Sequence, residues 1–96
     1  MLTTSIHRID KSELVNITFK KEEVLLNETD RELRNHNLYR GLSLGNIHKR
    51  HVIIQFENIL GMPIEVETTI WAVTQNHIML KGGKTIPIRC IFNVVV

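Results

Sequence analysis

The sequence predicts a mainly β protein with a partly helical N-terminal segment, residues 1–50, followed by a small closed barrel of five antiparallel strands, residues 51–96. Residues 51–58 alternate between apolar and polar side chains, as half-buried strands do. The apolar stretches that follow are short and are separated by Gly, Asn and Pro, which favour turns. Closure is expected because it removes the unpaired edges that so apolar a sheet would otherwise expose.

The size and composition predict one domain spanning residues 1–96. The chain has 96 residues, of which 43% are apolar and 23% charged, as is typical of soluble globular proteins. It contains no apolar run near the roughly 18 residues that span a bilayer, and its beginning, MLTTSIHRIDK, lacks the pattern of a secretory signal. Cys90 is the only cysteine and cannot form an internal disulfide. We therefore expect a reducing compartment, the cytoplasm.

Five strands in meander order are expected to build the barrel. Gly82-Gly83 suits a tight hairpin because glycine adopts positive φ without strain. Pro87 shortens the strand that contains it because proline cannot donate a hydrogen bond to a ladder. A turn of 3₁₀ helix is predicted at Arg89-Cys90. The predicted strands are 51–58, 64–74, 77–81, 85–88 and 91–96.

The long second strand leaves the position of the only tryptophan open. Strict alternation over 64–74 places Trp71 on the outer face with Glu65, Glu67 and Thr69. A strong bend in this strand would instead return Trp71 to the core. If it points outward, Trp71 either covers the N-terminal segment or anchors a partner, because tryptophan is favoured in interfaces.

The first 50 residues allow more than one reading. Residues 13–19 alternate and could form a strand, or Thr18 could cap a helix that runs through Leu26. We favour helix for part of 19–37, because Thr29 and Glu32 match a capping box ahead of Leu33. Four residues are expected to pack across an open end of the barrel: Leu38, Tyr39, Leu42 and Leu44.

The C-terminal half resembles the SH3-like barrels of the Sm-like family, which includes the bacterial RNA chaperone Hfq, and the similar small barrel Rof, which binds the terminator Rho. The stretch 73–81, VTQNHIMLK, resembles the turn between the second and third strands of Hfq, and 86–96, IPIRCIFNVVV, overlays the closing motif of the family without a gap. The resemblance covers residues 51–96 and implies architecture rather than activity. The RNA-contacting trio of Hfq falls on Pro87-Ile88-Arg89, of which only Arg89 keeps a cationic character.

Catalytic and metal-binding patterns are not recognised in the sequence. The histidines are dispersed, and His48 and His51 are not expected to share a helical face because a strand begins at His51. Cys90, between Ile88 and Ile91, is expected to be a small buried hydrophobic residue rather than a nucleophile. We therefore expect no enzymatic activity, no cofactor and no metal.

The distribution of charge leaves two binding functions open. The net charge is +2, the barrel itself is neutral, and the densest basic run is 48–51. A protein-interaction or homo-oligomerising module is the first expectation, and an Sm-like RNA-binding protein is the alternative. Neither requires a membrane. The residues expected to contact a partner or RNA are Arg89, Lys49, Arg50, Arg40 and Trp71.

Overall fold

The computed structural model describes residues 5–96; residues 1–4, which belong to the N-terminal stretch considered above, lie outside the described residues. It contains seven strands, one long α-helix and two 3₁₀ helices, Lys11–Asn16 and Ile88–Cys90. The helix, α1, spans Glu28–His48. The strands are β1 (His7–Ile9), β2 (Val52–Glu57), β3 (Pro63–Thr68), β4 (Ile70–Val73), β5 (His77–Leu80), β6 (Thr85–Pro87) and β7 (Ile91–Val95).

The strands form two separate sheets. The larger sheet has the order β1-β3-β2-β7, in which β1 runs parallel to β3 and the other pairs are antiparallel. The smaller sheet has the order β4-β5-β6 and is antiparallel throughout. Predicted strands therefore occur near the expected positions after His51, and the 3₁₀ turn at Arg89-Cys90 is confirmed within Ile88–Cys90.

The predicted closed barrel is wrong. Both sheets are open, about a third of the residues lie in strands, and the long helix makes the fold mixed α/β rather than mainly β. The predicted strand 64–74 is divided between the two sheets at Thr69. The chain passes between the sheets a second time after β6, where the 3₁₀ helix that follows Pro87 separates β6 from β7. The two sheets consequently share no ladder at either crossing point.

The division at Thr69 has a packing cause. Thr68, Thr69 and Ile70 are all buried, although successive side chains of a single strand point to opposite faces. Helix α1 covers this point, because a Cβ added at Gly45 would lie 2.9 Å from Thr69 Cγ2 and 2.6 Å from the Ile70 carbonyl oxygen. The prediction that Thr69 faces outward is therefore wrong.

The N-terminal half is more helical than the sequence indicated. Asn27, rather than Thr29, caps α1: its Oδ1 accepts a hydrogen bond from the Thr29 N–H at 2.8 Å. The predicted capping box at Thr29 is thus wrong, and α1 continues well beyond residue 37 to His48. Residues 13–19 do not form the strand considered, because a 3₁₀ helix over Lys11–Asn16 begins at a capping box between Asp10 and Glu13. The alternative helix from Thr18 through Leu26 is not formed either, since residues 17–27 contain no helix.

One continuous hydrophobic core joins α1 to both sheets. Leu38 is fully buried, and Leu42 packs at the edge of the core, as expected for two of the four helix residues. Tyr39 is 56% exposed, because it lies about 100° around the helix from Leu38. Its predicted packing is therefore wrong. Among the described residues, no helix is long and apolar enough to cross a membrane.

Candidate functional site

The end of α1 and the beginning of β4 enclose a cleft of about 380 Å³, which we call the Trp71 cleft. The close contact at Gly45 brings the last turn of the helix against β4. Lys49 then ends the helix in the left-handed conformation, with φ 53°, and its N–H donates to the Gly45 carbonyl oxygen at 3.2 Å. The cleft is lined by Gly45, Asn46, Lys49, His51, Thr69, Trp71 and Lys81.

Trp71 occupies a β-bulge in the wall of the cleft. Ile70 pairs with Leu80 and Ala72 pairs with Met79, so Trp71 is an extra residue on β4 without a partner of its own on β5. Bulges redirect side chains and occur frequently beside binding sites. The side chain points outward and is 48% exposed, which decides the question that the sequence left open.

The charges that line the cleft are predominantly positive. Lys49 and Lys81 contribute two ammonium groups, and no lining residue carries a carboxylate. Lys81 is held in place through its backbone, because its N–H donates to the Thr69 carbonyl oxygen at 2.9 Å. Glu67 contacts the lining residue His51: its Oε2 lies 3.5 Å from His51 Nδ1, and its Oε1 accepts a hydrogen bond from Arg8 at 3.0 Å. Within residues 5–96 neither lysine forms an ion pair, so an anion would meet two available ammonium groups here.

A second cleft, of about 430 Å³, lies at the opposite end of α1 and contains Arg89. Its arginines and carboxylates balance, and Arg89 Nε already donates to the Lys20 carbonyl oxygen at 3.1 Å. The lining is Glu23, Glu28, Arg31, Glu32, Arg34, Asn35, Gln75, Asn76, Ile88 and Arg89. Because positive and negative groups are equally represented, this cleft does not attract anions as the Trp71 cleft does.

An ion pair between a buried arginine and a half-buried glutamate lines this second cleft. The Arg34 guanidinium, with a side chain only 5% exposed, donates to both carboxylate oxygens of Glu23 at 2.7 Å and to the Ile91 carbonyl oxygen at 2.9 Å. Burial would raise the pKa of Glu23, but the hydrogen bonds from Arg34 and from the Leu25 N–H, with the charges of Arg34 and Arg31, outweigh it and hold that pKa below its usual value. Arg34 Nε is buried without a hydrogen-bond partner.

The predicted contact residues do not form one site. Lys49 and Trp71 come together in the Trp71 cleft, whereas Arg89 lies in the balanced cleft at the other end of the helix. Arg40 and Arg50 are exposed, and neither lines the Trp71 cleft. Of the five residues, the Trp71 cleft therefore brings together only Lys49 and Trp71, and contact of any of the five with a partner or RNA stays a prediction.

Lys81 and His51 are members of the cleft that sequence reasoning did not select. The short connection between the predicted strands 64–74 and 77–81 carried a usable signal for Lys81, because a tight connection places residues near 70 and 80 side by side. For His51 no such signal existed, since its position depends on how α1 packs against β4. Cys90 is fully buried as expected, and burial raises the pKa of its thiol to about 12.

Among residues 5–96, no group of three or more His, Cys, Asp or Glu side chains is arranged to hold a metal ion. The chain matches no protein-family model, no curated protein and no solved structure.

Proposed function

We propose that this chain is a non-enzymatic protein-interaction module that self-associates by pairing β7 with β7 of a second copy. A closed barrel would have left no edge for such pairing, whereas open sheets present unpaired N–H and C=O groups along their outer strands. Within the described part of the chain, β2 is the only strand that pairs with β7. This free edge is the observation that carries the proposal.

The other three sheet edges are protected against pairing. β1 has only three residues and carries Arg8, and β6 has three residues and ends in Pro87. β4 begins beneath α1, where Gly45 contacts Ile70. Short length, charge, proline and a covering helix are the usual means by which proteins block edge pairing. The sequence of β7, IFNVV, contains no charge and no proline. Helix α1 packs beside the strand and Arg34 donates to the carbonyl oxygen of its first residue, Ile91, so the edge offered for pairing is that of residues 92–95.

A groove beside β7 offers space for an apolar side chain of the added strand. It measures about 180 Å³ and lies between one face of α1 and the strand. Its apolar lining comes from Leu25, Leu33, Phe92 and Val94, and Leu33 is 57% exposed in the single chain. A second copy is the natural occupant, because antiparallel β7–β7 pairing about a two-fold axis is self-complementary and two-fold dimers are the commonest oligomers. Asn93, the middle residue of β7, would then face its own counterpart.

Cys90 supports a binding role and a reducing compartment. A thiol with a pKa near 12 is protonated at neutral pH, and a thiolate is the form needed for nucleophilic attack. Cys90 therefore serves as a buried hydrophobic residue in this proposal. A single thiol kept out of contact with solvent fits the cytoplasm, which is the compartment we propose.

Asn93→Lys is expected to weaken dimer formation at least tenfold, because it places two like charges opposite each other across the two-fold axis. Sedimentation equilibrium over a concentration series measures the effect. The matched control is Asn93→Ala, which loses the same side-chain hydrogen bond to Gln55 but adds no charge, and it is expected to remain dimeric. A wild-type chain that is monomeric at 100 µM, roughly the weak end of specific association, would contradict the proposal.

RNA binding is the second candidate function, favoured by the grouping of Lys49, Lys81 and exposed Trp71 in one cleft. Lysines that neutralise phosphates release counterions, so retention on a polyuridylate matrix should fall steeply as salt rises. The double variant Lys49→Glu/Lys81→Glu is expected to elute at lower salt than the wild type. Arg89→Glu should elute with the wild type, because Arg89 lies in the other cleft. If only Arg89→Glu eluted at lower salt, RNA would bind at the cleft that contains Arg89, and its assignment to the Trp71 cleft would be wrong.

A further inference from the structure

The Trp71 cleft combines the two features that a nucleotide site requires, an aromatic side chain and positive charge. The only tryptophan of the chain lines the cleft. Two lysines line it as well, Lys49 at the end of α1 and Lys81 after β5. The cleft volume of about 380 Å³ falls within the range of about 300–1,000 Å³ typical of small-molecule sites. Its size fits one nucleotide unit rather than a folded partner.

Backbone contacts fix the main chain at Lys49 and Lys81 without ligand. Lys49 is fixed by the helix end, and Lys81 is fixed by the hydrogen bond from its N–H to the Thr69 carbonyl oxygen. Trp71 lies at the bulge, where it has no partner residue on β5, and its indole ring points outward. The backbone therefore needs no rearrangement on binding, and the cost of binding is the ordering of the two exposed lysine side chains.

We propose that the Trp71 cleft binds one phosphorylated nucleoside, with the base stacked on the indole of Trp71 and the phosphate between Lys49 and Lys81. Base stacking on an aromatic side chain tolerates all bases because each has a π face. The lysines act as point charges on the phosphate. The polar lining residues, Asn46 and Thr69, supply hydrogen-bonding groups of the kind that bind a ribose or a base edge.

The same chemistry can reach the cleft as a free mononucleotide or as one unit of single-stranded RNA. The inference thus specifies the ligand of the second candidate function, and it is independent of pairing through β7. A surface that bound phosphate alone would need no aromatic wall. The contribution of the base therefore separates this proposal from simple attraction of anions.

Trp71 is the only tryptophan of the chain, so its fluorescence reports directly on the cleft. We expect saturable quenching by adenosine monophosphate and by a hexauridylate, and at least about fivefold weaker binding of ribose 5-phosphate, measured by calorimetry. Tighter binding of the mononucleotide assigns the site to free nucleotides, and tighter binding of the hexamer assigns it to RNA. Equal affinity for ribose 5-phosphate, or no binding of either nucleotide ligand, would overturn the proposal.

Variants identify the groups responsible. Lys49→Asn keeps a residue that tolerates the left-handed conformation while removing the charge, and this variant and Lys81→Gln are each expected to lower affinity about tenfold. Lys84→Gln is the matched control, because Lys84 belongs to the same β5–β6 turn but does not line the cleft. Trp71→Leu should lose discrimination between adenosine monophosphate and ribose 5-phosphate, and Trp71→Phe should retain part of it. Unchanged discrimination in Trp71→Leu would refute stacking.

Retention on polyuridylate distinguishes failure of this inference from failure of RNA binding in general. If the hexamer binds without quenching Trp71 and Lys49→Glu/Lys81→Glu still lowers retention, RNA binding stands and stacking in the cleft is wrong. If retention itself is independent of salt, the second candidate function is wrong as well.

Discussion

Glu23→Ala is expected to lower the free energy of unfolding by about 3 kcal/mol, because it leaves the buried guanidinium of Arg34 without its counter-ion. The Arg34 side chain is 5% exposed, and both of its contacts with Glu23 measure 2.7 Å. The remaining acceptor, the Ile91 carbonyl oxygen, cannot neutralise the charge. Since Arg34 Nε already lacks a partner, loss of the carboxylate leaves a still less satisfied cation. Urea denaturation followed by circular dichroism measures the change.

Two further variants make this prediction specific. Glu32→Ala removes an exposed carboxylate from the same cleft and is expected to change stability by no more than about 0.5 kcal/mol. The double variant Glu23→Ala/Arg34→Met replaces the whole pair with apolar groups and should recover part of the loss, because no charge then remains buried. Equal stability of Glu23→Ala and Glu32→Ala would show that the pair contributes nothing.

The same carboxylate gives the stability a defined dependence on pH. The pKa of Glu23 is lower in the folded protein than its usual value of 4.5. The unfolded chain therefore binds this proton more readily, and the stabilisation is complete above about pH 4.5 and is lost as the pH falls through the folded pKa. Below pH 4.5 the wild type should lose stability more steeply than Glu23→Ala. Parallel acid profiles for the two proteins would contradict this assignment.

Gly45→Ala is expected to destabilise the fold by about 2 kcal/mol or more, although alanine favours helix by about 1 kcal/mol over glycine. A Cβ at this position would lie 2.6 Å from the Ile70 carbonyl oxygen and 2.9 Å from Thr69 Cγ2. The backbone atom cannot move aside as a side chain can, so α1 must shift away from β4. Thermal unfolding by calorimetry measures the loss.

Gly41→Ala is the matched control on the same helix face. The nearest atom to its Cβ would be Ile70 Cδ1 at 3.0 Å, the flexible end of a side chain. The gain in helix propensity and the small adjustment of Ile70 should nearly cancel, leaving a change within about 1 kcal/mol. If Gly41→Ala and Gly45→Ala were equally harmful, close contact at Gly45 would not be what positions the helix end and the Trp71 cleft.

Local patterns in the sequence accounted for the strands and turns after His51. Alternation predicted 51–58, and β2 occupies Val52–Glu57. Glycines at 82 and 83 adopt positive φ, 96° and 92°, as the hairpin required. Pro87 ends its strand, and the 3₁₀ turn follows it. These features depend on conformational preferences of single residues and on the two-residue period of a strand, which are present in the sequence itself.

The capping residue of the helix and its length were harder to predict. Asn27 and Thr29 are both good capping residues, and the choice between them depends on how residues 17–26 approach the sheets. That approach is set by distant contacts, among them the hydrogen bond from the Val24 N–H to the Arg89 carbonyl oxygen at 2.9 Å. No pattern within the N-terminal half contains this information.

By itself, the sequence determined the strand positions of the C-terminal half, the tight turns and the burial of Cys90. Only the tertiary structure decided that the sheets stay open, that β7 keeps a free edge and that Trp71 and Lys49 meet Lys81. The physical reason is the contact between Gly45 and residues 69–70, which divides the long predicted strand and draws the end of α1 against β4. Such contacts between residues far apart in the chain depend on three-dimensional packing, which local preference and periodicity do not encode.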